Sequence, residues 1–242
     1  MKRLGAALLA LAMTIGLMQP ASAGDYDGNF MVRLQATGVF TQDDLRSLDS
    51  TGLGDLKALG FDAEVSDRFL PTATLTYFLN KNLSVELFCC FSKHQVDLKA
   101  PIAGLSGEVA DAWIFPPALT LQYHITGLGP FKPYLGAGVQ YIHFFNEKTG
   151  ANPINATSVS IDDAFGVTLQ AGIDVAIGNG WYLNADIKKS WLDTTAVWRN
   201  SVAGDVTAKV DLDPLIVSAG IGYRFNLEDL FGHRNYSQDT LK

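Results

Sequence analysis

The stretch that decides the fold runs from Asp163 to Ile177 and reads DAFGVTLQAGIDVAI. From Phe165 onward every second residue is apolar, and the residues between them are mostly Gly, Thr, Gln and Asp. A period of two that persists this long is typical of a β-strand longer than those of most soluble proteins. We therefore predict one long strand with an apolar face and a polar face.

The alternation resumes beyond the tight turn Gly178-Asn179-Gly180 and predicts a hairpin partner over residues 181–191. A last strand over 215–225 follows the same rule. Weaker alternation predicts five more strands, at residues 29–40, 69–79, 83–98, 112–125 and 132–145. The total is eight strands.

The predicted connections alternate between short and long. Short ones lie at residues 80–82, 126–131 and 178–180, and long ones at 41–67, 99–111, 146–162 and 195–206. Short turns on one side and long loops on the other are typical of an up-and-down antiparallel barrel. The chain has no repeat of fixed period and no interdomain linker, which indicates one domain over residues 24–225.

The composition of the two faces indicates a membrane barrel. The polar face consists of Gly, Ser, Thr and Gln with few charges, which suits a narrow hydrated lumen better than a soluble surface. Aromatic residues such as Trp113, Trp181 and Trp191 stand near strand ends, as interfacial girdles require. We predict an all-β fold: an eight-stranded antiparallel up-and-down transmembrane β-barrel.

The two ends of the chain differ from the barrel. Residues 1–23 read as a secretory signal peptide, with Lys2-Arg3, an apolar run to Met18 and the cleavage motif Ala21-Ser22-Ala23. Residues 226–242 form a polar C-terminal tail. The mature protein should therefore act outside the cytoplasm.

Composition and motifs argue against most other functions. A net charge of −7 excludes a general nucleic-acid binder. Cys89 and Cys90 are adjacent, so they define neither a disulfide framework nor a zinc site. Ser92 and His94 share one strand face with Glu86, but the chain has no G-x-S-x-G or H-E-x-x-H motif. We expect no catalytic site, no metal site and no cofactor.

Four segments resemble the OmpW family of bacterial outer-membrane proteins. They are FPPALTLQY (115–123), FKPYLGAGVQY (131–141), QAGID (170–174) followed by WYLN (181–184), and DLDP (211–214) before GIGYRF (220–225). The resemblance implies an eight-stranded outer-membrane barrel that passively admits small hydrophobic molecules, as AlkL-like members are taken to do for hydrocarbons. We expect both barrel termini to lie in the periplasm. The implied partners are small hydrophobic solutes, outer-membrane lipid, lipopolysaccharide and the outer-membrane assembly machinery.

The chain departs from the family pattern in two places. Residues 85–94 carry Cys, Phe and Ser where the family has small residues and a Pro-Phe step before a His, so no role is carried over to His94. The family tends to stop at the terminal Phe, whereas this chain continues beyond Phe225.

Seven polar side chains share the predicted inward face: Arg33, Glu86, Gln170, Asp174, Asp186, Lys188 and Arg224. An eight-stranded barrel has an interior just wide enough to be filled by its own side chains. The charges therefore form either a plug of ion pairs or a hydrated ion path, and we favour the plug.

A closed lumen requires a hydrophobic solute to leave through the wall. Four prolines fall near the outer ends of predicted strands: Pro71, Pro116, Pro117 and Pro214. Proline cannot donate to the ladder, so these sites are candidates for a lateral exit, with Pro116 and Pro117 the best because they are consecutive. The alternative is that the prolines only begin strands where pairing has already ended.

The first long connection is unusually apolar, with Leu45, Leu48, Leu53, Leu56, Leu59 and Phe61. Two interpretations are open: an apolar vestibule over the mouth, or a short amphipathic helix on the rim, which we slightly favour. The alternative function for the whole chain is a non-conducting structural or receptor barrel that acts through its extracellular loops.

Overall fold

A computed structural model describes residues 28–41, 44–102 and 104–226. The predicted signal peptide and all of the tail except Asn226 lie outside the described residues. The strands are β1 (Phe30–Phe40), β2 (Asp44–Ser50), β3 (Gly54–Asp55), β4 (Asp62–Val65), β5 (Arg68–Phe78), β6 (Leu83–Cys89), β7 (Ser92–Lys99), β8 (Gly107–Phe115), β9 (Ala118–His124), β10 (Phe131–Lys148), β11 (Ser158–Ile161), β12 (Ala164–Gly178), β13 (Trp181–Trp191), β14 (Asp193–Ser201), β15 (Gly204–Asp211) and β16 (Leu215–Phe225). Within those described ranges, no helix is long and apolar enough to cross a membrane.

Eight of these strands close a barrel. Around the wall the order is β1, β5, β6, β9, β10, β12, β13 and β16, and β16 pairs again with β1. Every neighbouring pair is antiparallel. The predicted eight-stranded antiparallel barrel is confirmed. We call its two ends the short-turn end, which includes the turn at residues 179–180, and the long-connection end.

The alternation places polar side chains inside the barrel and apolar ones outside. On β5, Thr74 and Thr76 are buried in the interior, whereas Leu75 and Tyr77 are exposed on the outer surface. Several strands approach closely at glycine: a Cβ on Gly220 would lie 2.0 Å from the carbonyl oxygen of Leu34 on β1. The outer surface is therefore an apolar band around a packed polar interior.

The long connections are not irregular loops, contrary to the prediction. They fold into β2, β3, β4, β11, β14 and β15, which extend the wall beyond the barrel together with β7 and β8. Two predicted strands are each divided: residues 83–98 break at Cys90–Phe91, and residues 112–125 break at Pro116–Pro117. The missing donors of the two prolines account for the second break.

The amphipathic helix predicted on the rim is wrong, because residues 44–50 form strand β2. Leu45 and Leu48 are both buried. In a regular strand, two residues three positions apart would point to opposite faces. The register between β2 and β15 shifts here, since Leu45 pairs with Val210 and Ser47 with Lys209. Arg46 is thus the extra residue of a β-bulge, which turns both leucines to the same side and imitates helical spacing.

Candidate functional site

Five charged side chains meet inside the barrel: Arg33, Glu86, Asp174, Asp186 and Lys188. Arg33 donates to both carboxylate oxygens of Asp174, at 3.0 and 2.6 Å, and to Glu86 Oε2 at 2.6 Å. Lys188 Nζ lies 2.5 Å from Asp186 Oδ1 and 3.1 Å from Glu86 Oε1. All five are buried. Because each charge is paired with another, this is the arrangement of a plug, which we call the charged plug.

Neutral polar groups complete the hydrogen bonding of the charged plug. Gln170 Nε2 donates to Glu86 Oε1 at 2.9 Å and to Asp186 Oδ2 at 2.7 Å. The hydroxyl of Tyr134 donates to Asp186 at 2.7 Å. Buried charges are tolerated only when they are both paired and hydrogen-bonded, and these contacts meet that requirement.

Arg224 is also buried in the interior, but it does not join the charged plug. Its Nε donates to the carbonyl oxygen of Gly28 at 2.6 Å, and its guanidinium lies 3.7 Å from the ring centroid of Phe78. These partners lie at the short-turn end. Six of the seven predicted lumen residues therefore come together in one network, and Arg224 lies apart from it.

An apolar cavity, here the proximal cavity, lies on the long-connection side of the charged plug. Its unfilled space, including the part open to solvent, is about 1070 Å³. Phe88, Ile142, Ala196, Val210 and Ile216 are among its lining residues. The ring of Phe88 separates the cavity from the plug, since Lys188 Nζ lies 5.0 Å from that ring.

The polar side chains that line the proximal cavity bond to protein groups. Thr41 donates to the carbonyl oxygen of Val65 at 3.0 Å, and Gln140 accepts a hydrogen bond from Ser190. Thr194 donates to a backbone carbonyl oxygen. With these groups already engaged, the cavity favours an apolar occupant over one that needs hydrogen bonds.

Ser92 and His94 also line the proximal cavity and bond to each other. His94 Nδ1 must donate to the carbonyl oxygen of Ser66, at 3.1 Å, so its Nε2 accepts from the Ser92 hydroxyl at 3.0 Å. Glu86, the third member considered from the sequence, belongs to the charged plug instead. The structure therefore does not assemble these three groups into a catalytic triad.

A second apolar cavity, here the distal cavity, lies further into the extension at the long-connection end. Its unfilled space is about 1120 Å³, including solvent-open space. Five of the six apolar residues predicted in the first connection line it: Leu48, Leu53, Leu56, Leu59 and Phe61. Leu45 is buried in the same apolar cluster. This is the geometry expected of a vestibule.

The wall beside the proximal cavity is interrupted at Cys90 and Phe91. The ladder between β5 and β6 ends at the pair Ala73–Cys89. The ladder between β6 and β9 ends at Phe88–Ala118, and that between β7 and β8 begins at Ser92–Ile114. We call this interruption the wall break.

Three of the four predicted prolines flank the wall break. Pro116 and Pro117 lie opposite it, in the gap between β8 and β9. Pro71 lies on β5, beyond the last pair with β6. The N–H of Phe78 points to β1, where it bonds to Asn29, so in regular alternation an N–H at Pro71 would point to β6. Proline therefore removes a donor on the side where pairing stops.

Pro214 is not part of the wall break. It lines the proximal cavity, and its carbonyl oxygen accepts a hydrogen bond from the N–H of Ser190 at 3.1 Å. Beside it, Leu215 pairs with both Phe40 on β1 and Lys189 on β13. The wall is therefore continuous at this position.

Side chains fill the wall break. Leu70 packs on the inner cluster that contains Cys90 and Phe88. On the outer side, the rings of Phe91 and Phe115 stack with centroids 4.8 Å apart, and Phe69 is 79% exposed. Sequence reasoning missed Leu70, Cys90 and Phe91. The departure from the family pattern at residues 85–94 was the signal that could have identified Cys90 and Phe91.

Comparison with known proteins identifies relatives along almost the whole chain. A family model described as the OmpW family matches residues 26–225. The uncharacterized outer-membrane protein y4mB of Sinorhizobium fredii is 33% identical over 92% of this chain and 94% of its own length. The dibenzothiophene metabolism operon protein PahQ of Pseudomonas aeruginosa is 37% identical, over 46% of this chain and 50% of its own.

Two solved structures share the fold. The crystal structure of OprG from Pseudomonas aeruginosa has a TM-score of 0.74 and 28% identity, and covers 82% of this chain and 96% of that one. The solid-state NMR structure of AlkL in lipid bilayers has a TM-score of 0.66 and 26% identity, over 87% and 96%.

The charged plug predicts a large difference between two arginine substitutions. Arg33→Met leaves Glu86 and Asp174 buried beside a group that cannot neutralise them, so the free energy of unfolding should fall by about 3–5 kcal/mol. Arg46, 59% exposed in its side chain and paired with Asp211, provides the control, since Arg46→Met should change stability little. Denaturant titration in lipid measures both, and equal losses would contradict the account.

Proposed function

Because the chain belongs to the OmpW family, we propose that this outer-membrane barrel lets small hydrophobic molecules diffuse passively and that they leave sideways through the wall break. The observation that carries the proposal is the position of the proximal cavity. It ends at the charged plug in the direction of the lumen, and the wall break opens beside it at Cys90. An apolar solute that reaches this cavity therefore lies beside an interruption in the wall, and the charged plug closes the lumen beyond it.

The route follows apolar surface from one end to the other. A solute enters the distal cavity among the leucines of the first connection, passes to the proximal cavity and meets Phe88 as its floor. Passage through the charged plug would require separating buried ion pairs, which costs several kcal/mol. Exit at the wall break requires only that side chains such as Leu70 and Phe91 move.

The energetics of this route require no energy input or cofactor. Burial of apolar surface stabilises the solute by roughly 25 cal/mol per Å² in each cavity, and the hydrocarbon of the membrane offers the same gain at the end. Elsewhere in the wall, opening a path would break ladder hydrogen bonds, each costly to leave unpaired in hydrocarbon. At the wall break the pairing has already ended.

The side from which a solute enters follows from the orientation that we propose for the barrel. The long-connection end faces the outside, where the rim meets lipopolysaccharide, and both barrel termini face the periplasm. On this orientation the last strand, β16, is presented to the outer-membrane assembly machinery. The apolar band between the two ends contacts outer-membrane lipid.

Two relatives support a hydrophobic substrate class. The resemblance to AlkL-like members implies hydrocarbons, and the name of PahQ refers to the metabolism of dibenzothiophene. Dibenzothiophene is a flat apolar ring system, which suits a cavity whose polar side chains already bond to protein groups.

The proposal predicts selective uptake. Cells that lack such a porin should take up a small alkane faster when they contain this protein, because both cavities favour apolar solutes. A hydrophilic solute of similar size should enter no faster, because the charged plug closes the lumen. Uptake of both solutes is measured with and without the protein. If neither solute entered faster despite a folded barrel, the receptor or structural alternative would replace transport.

The exit predicts that a bulky group on Cys90 stops alkane uptake, since this side chain lies between the proximal cavity and the wall break. In the Cys89→Ser variant, reaction of the folded barrel with benzyl methanethiosulfonate should modify Cys90 and reduce uptake. A thiol reductant should restore uptake.

The matched control is the Cys90→Ser variant, in which the same reagent can modify only Cys89. Mass spectrometry measures the extent of modification in both variants. Full modification of Cys90 without loss of uptake would count against exit at this position.

A further inference from the structure

The two apolar cavities share two lining residues, Ala63 and Trp198. Both side chains are buried, and Trp198 is only 3% exposed. Alanine has a single methyl group, whereas the indole is the largest side chain in proteins. Trp198 is therefore the main obstacle that a solute meets between the distal and proximal cavities.

A hydrogen bond holds the indole across the interior. Its Nε1–H donates to the carbonyl oxygen of Val109 at 2.8 Å, which connects β14 with β8. These strands belong to two different sheets of the extension. The ring is thus fixed at both ends, by its own backbone and by the opposite wall.

The acceptor is available because Val109 lies in a β-bulge. Between β7 and β8, Val96 pairs with Ala110, whereas Asp97 pairs with Glu108. Val109 is the extra residue of this irregularity, and a bulge leaves its extra residue outside the regular ladder. The indole N–H thus receives a partner that a regular strand would have used in its own pairing.

We propose that Trp198 is the gate between the two cavities and the residue that sets the shape of solute that passes. This inference rests on the proposed function, since it assigns a role along the same route. A slender alkyl chain passes beside the fixed ring. A branched or fused-ring solute requires the indole to turn away, which breaks the bond to Val109.

Replacement of the indole by a smaller ring tests this role. Trp198→Phe keeps an aromatic ring but removes the N–H, so uptake of 2,2,4-trimethylpentane should rise about two- to tenfold, the factor that one neutral hydrogen bond represents. Uptake of n-octane should change little. Trp113→Phe is the control, because Trp113 is 39% exposed on the outer surface.

The outcomes separate the gate from the proposed function. If the unmodified protein took up no octane, the proposed function would fail and the gate with it. If octane entered normally but the ratio of the two uptake rates in Trp198→Phe equalled that of the unmodified protein, only the gate would be wrong. Gel mobility of unheated samples shows whether each variant has folded.

A second measurement does not depend on substitution of Trp198. The chain has four tryptophans, and the other three are exposed on the outside. A Trp113→Phe/Trp181→Phe/Trp191→Phe variant therefore reports from Trp198 alone. Added 1-bromooctane should quench its fluorescence at concentrations that support uptake. If bromooctane left the fluorescence unchanged during uptake, the proposed role of Trp198 as the gate would be wrong.

Discussion

The rest of the structure depends on the pairing of Arg33 with Asp174 and Glu86 inside the barrel. One guanidinium pairs with two carboxylates contributed by strands on different sides of the lumen, and Lys188 pairs with Glu86 and Asp186. Two cations thus face three carboxylates, and Tyr134 and Gln170 donate further hydrogen bonds to Asp186. A network of this kind is costly to open, because every separated partner is left as a buried charge. Because this network closes the lumen, the route that we propose for an apolar solute leads to the wall.

The wall imposes a constraint of its own. A barrel in a membrane must pair its backbone groups, so an interruption is tolerated only where side chains cover it. Prolines on both sides of Cys90 and Phe91 end the pairing there, and Leu70, Phe91 and Phe115 fill the space. In the proposed route, the wall break is therefore the part of the wall that costs least to open.

Some of this architecture could be predicted from sequence because it is local. The period of two predicts the barrel strands and places Asp174, Asp186 and Lys188 on one inward face without knowledge of their partners. Residues whose spacing departs from that period were misjudged. A bulge at Arg46 gives Leu45 and Leu48 a helical spacing, and the predicted helix was therefore wrong.

Other features depend on which distant segments become neighbours. Arg33 contacts Asp174 across 141 positions, and Trp198 contacts Val109 across 89. The wall break arises only when Pro71, Pro116 and Pro117 are brought to either side of Cys90, and the sequence contains no periodicity that pairs them. The missing N–H identifies each proline as a place where strand pairing is weakened. Only the closed barrel shows that three of the prolines lie at the same interruption of the wall.

The central claim is that an apolar solute enters from the long-connection end and leaves before the charged plug. Photolabelling with an alkyl diazirine tests this claim most directly. The reagent is photolysed with the protein in liposomes, and mass spectrometry maps the adducts on inward-facing residues. The account predicts adducts at Phe88, Leu70 and Cys90, with Met31 and Tyr182 on the other side of the plug unmodified. Adducts at Met31 and Tyr182 would show passage along the lumen and contradict it.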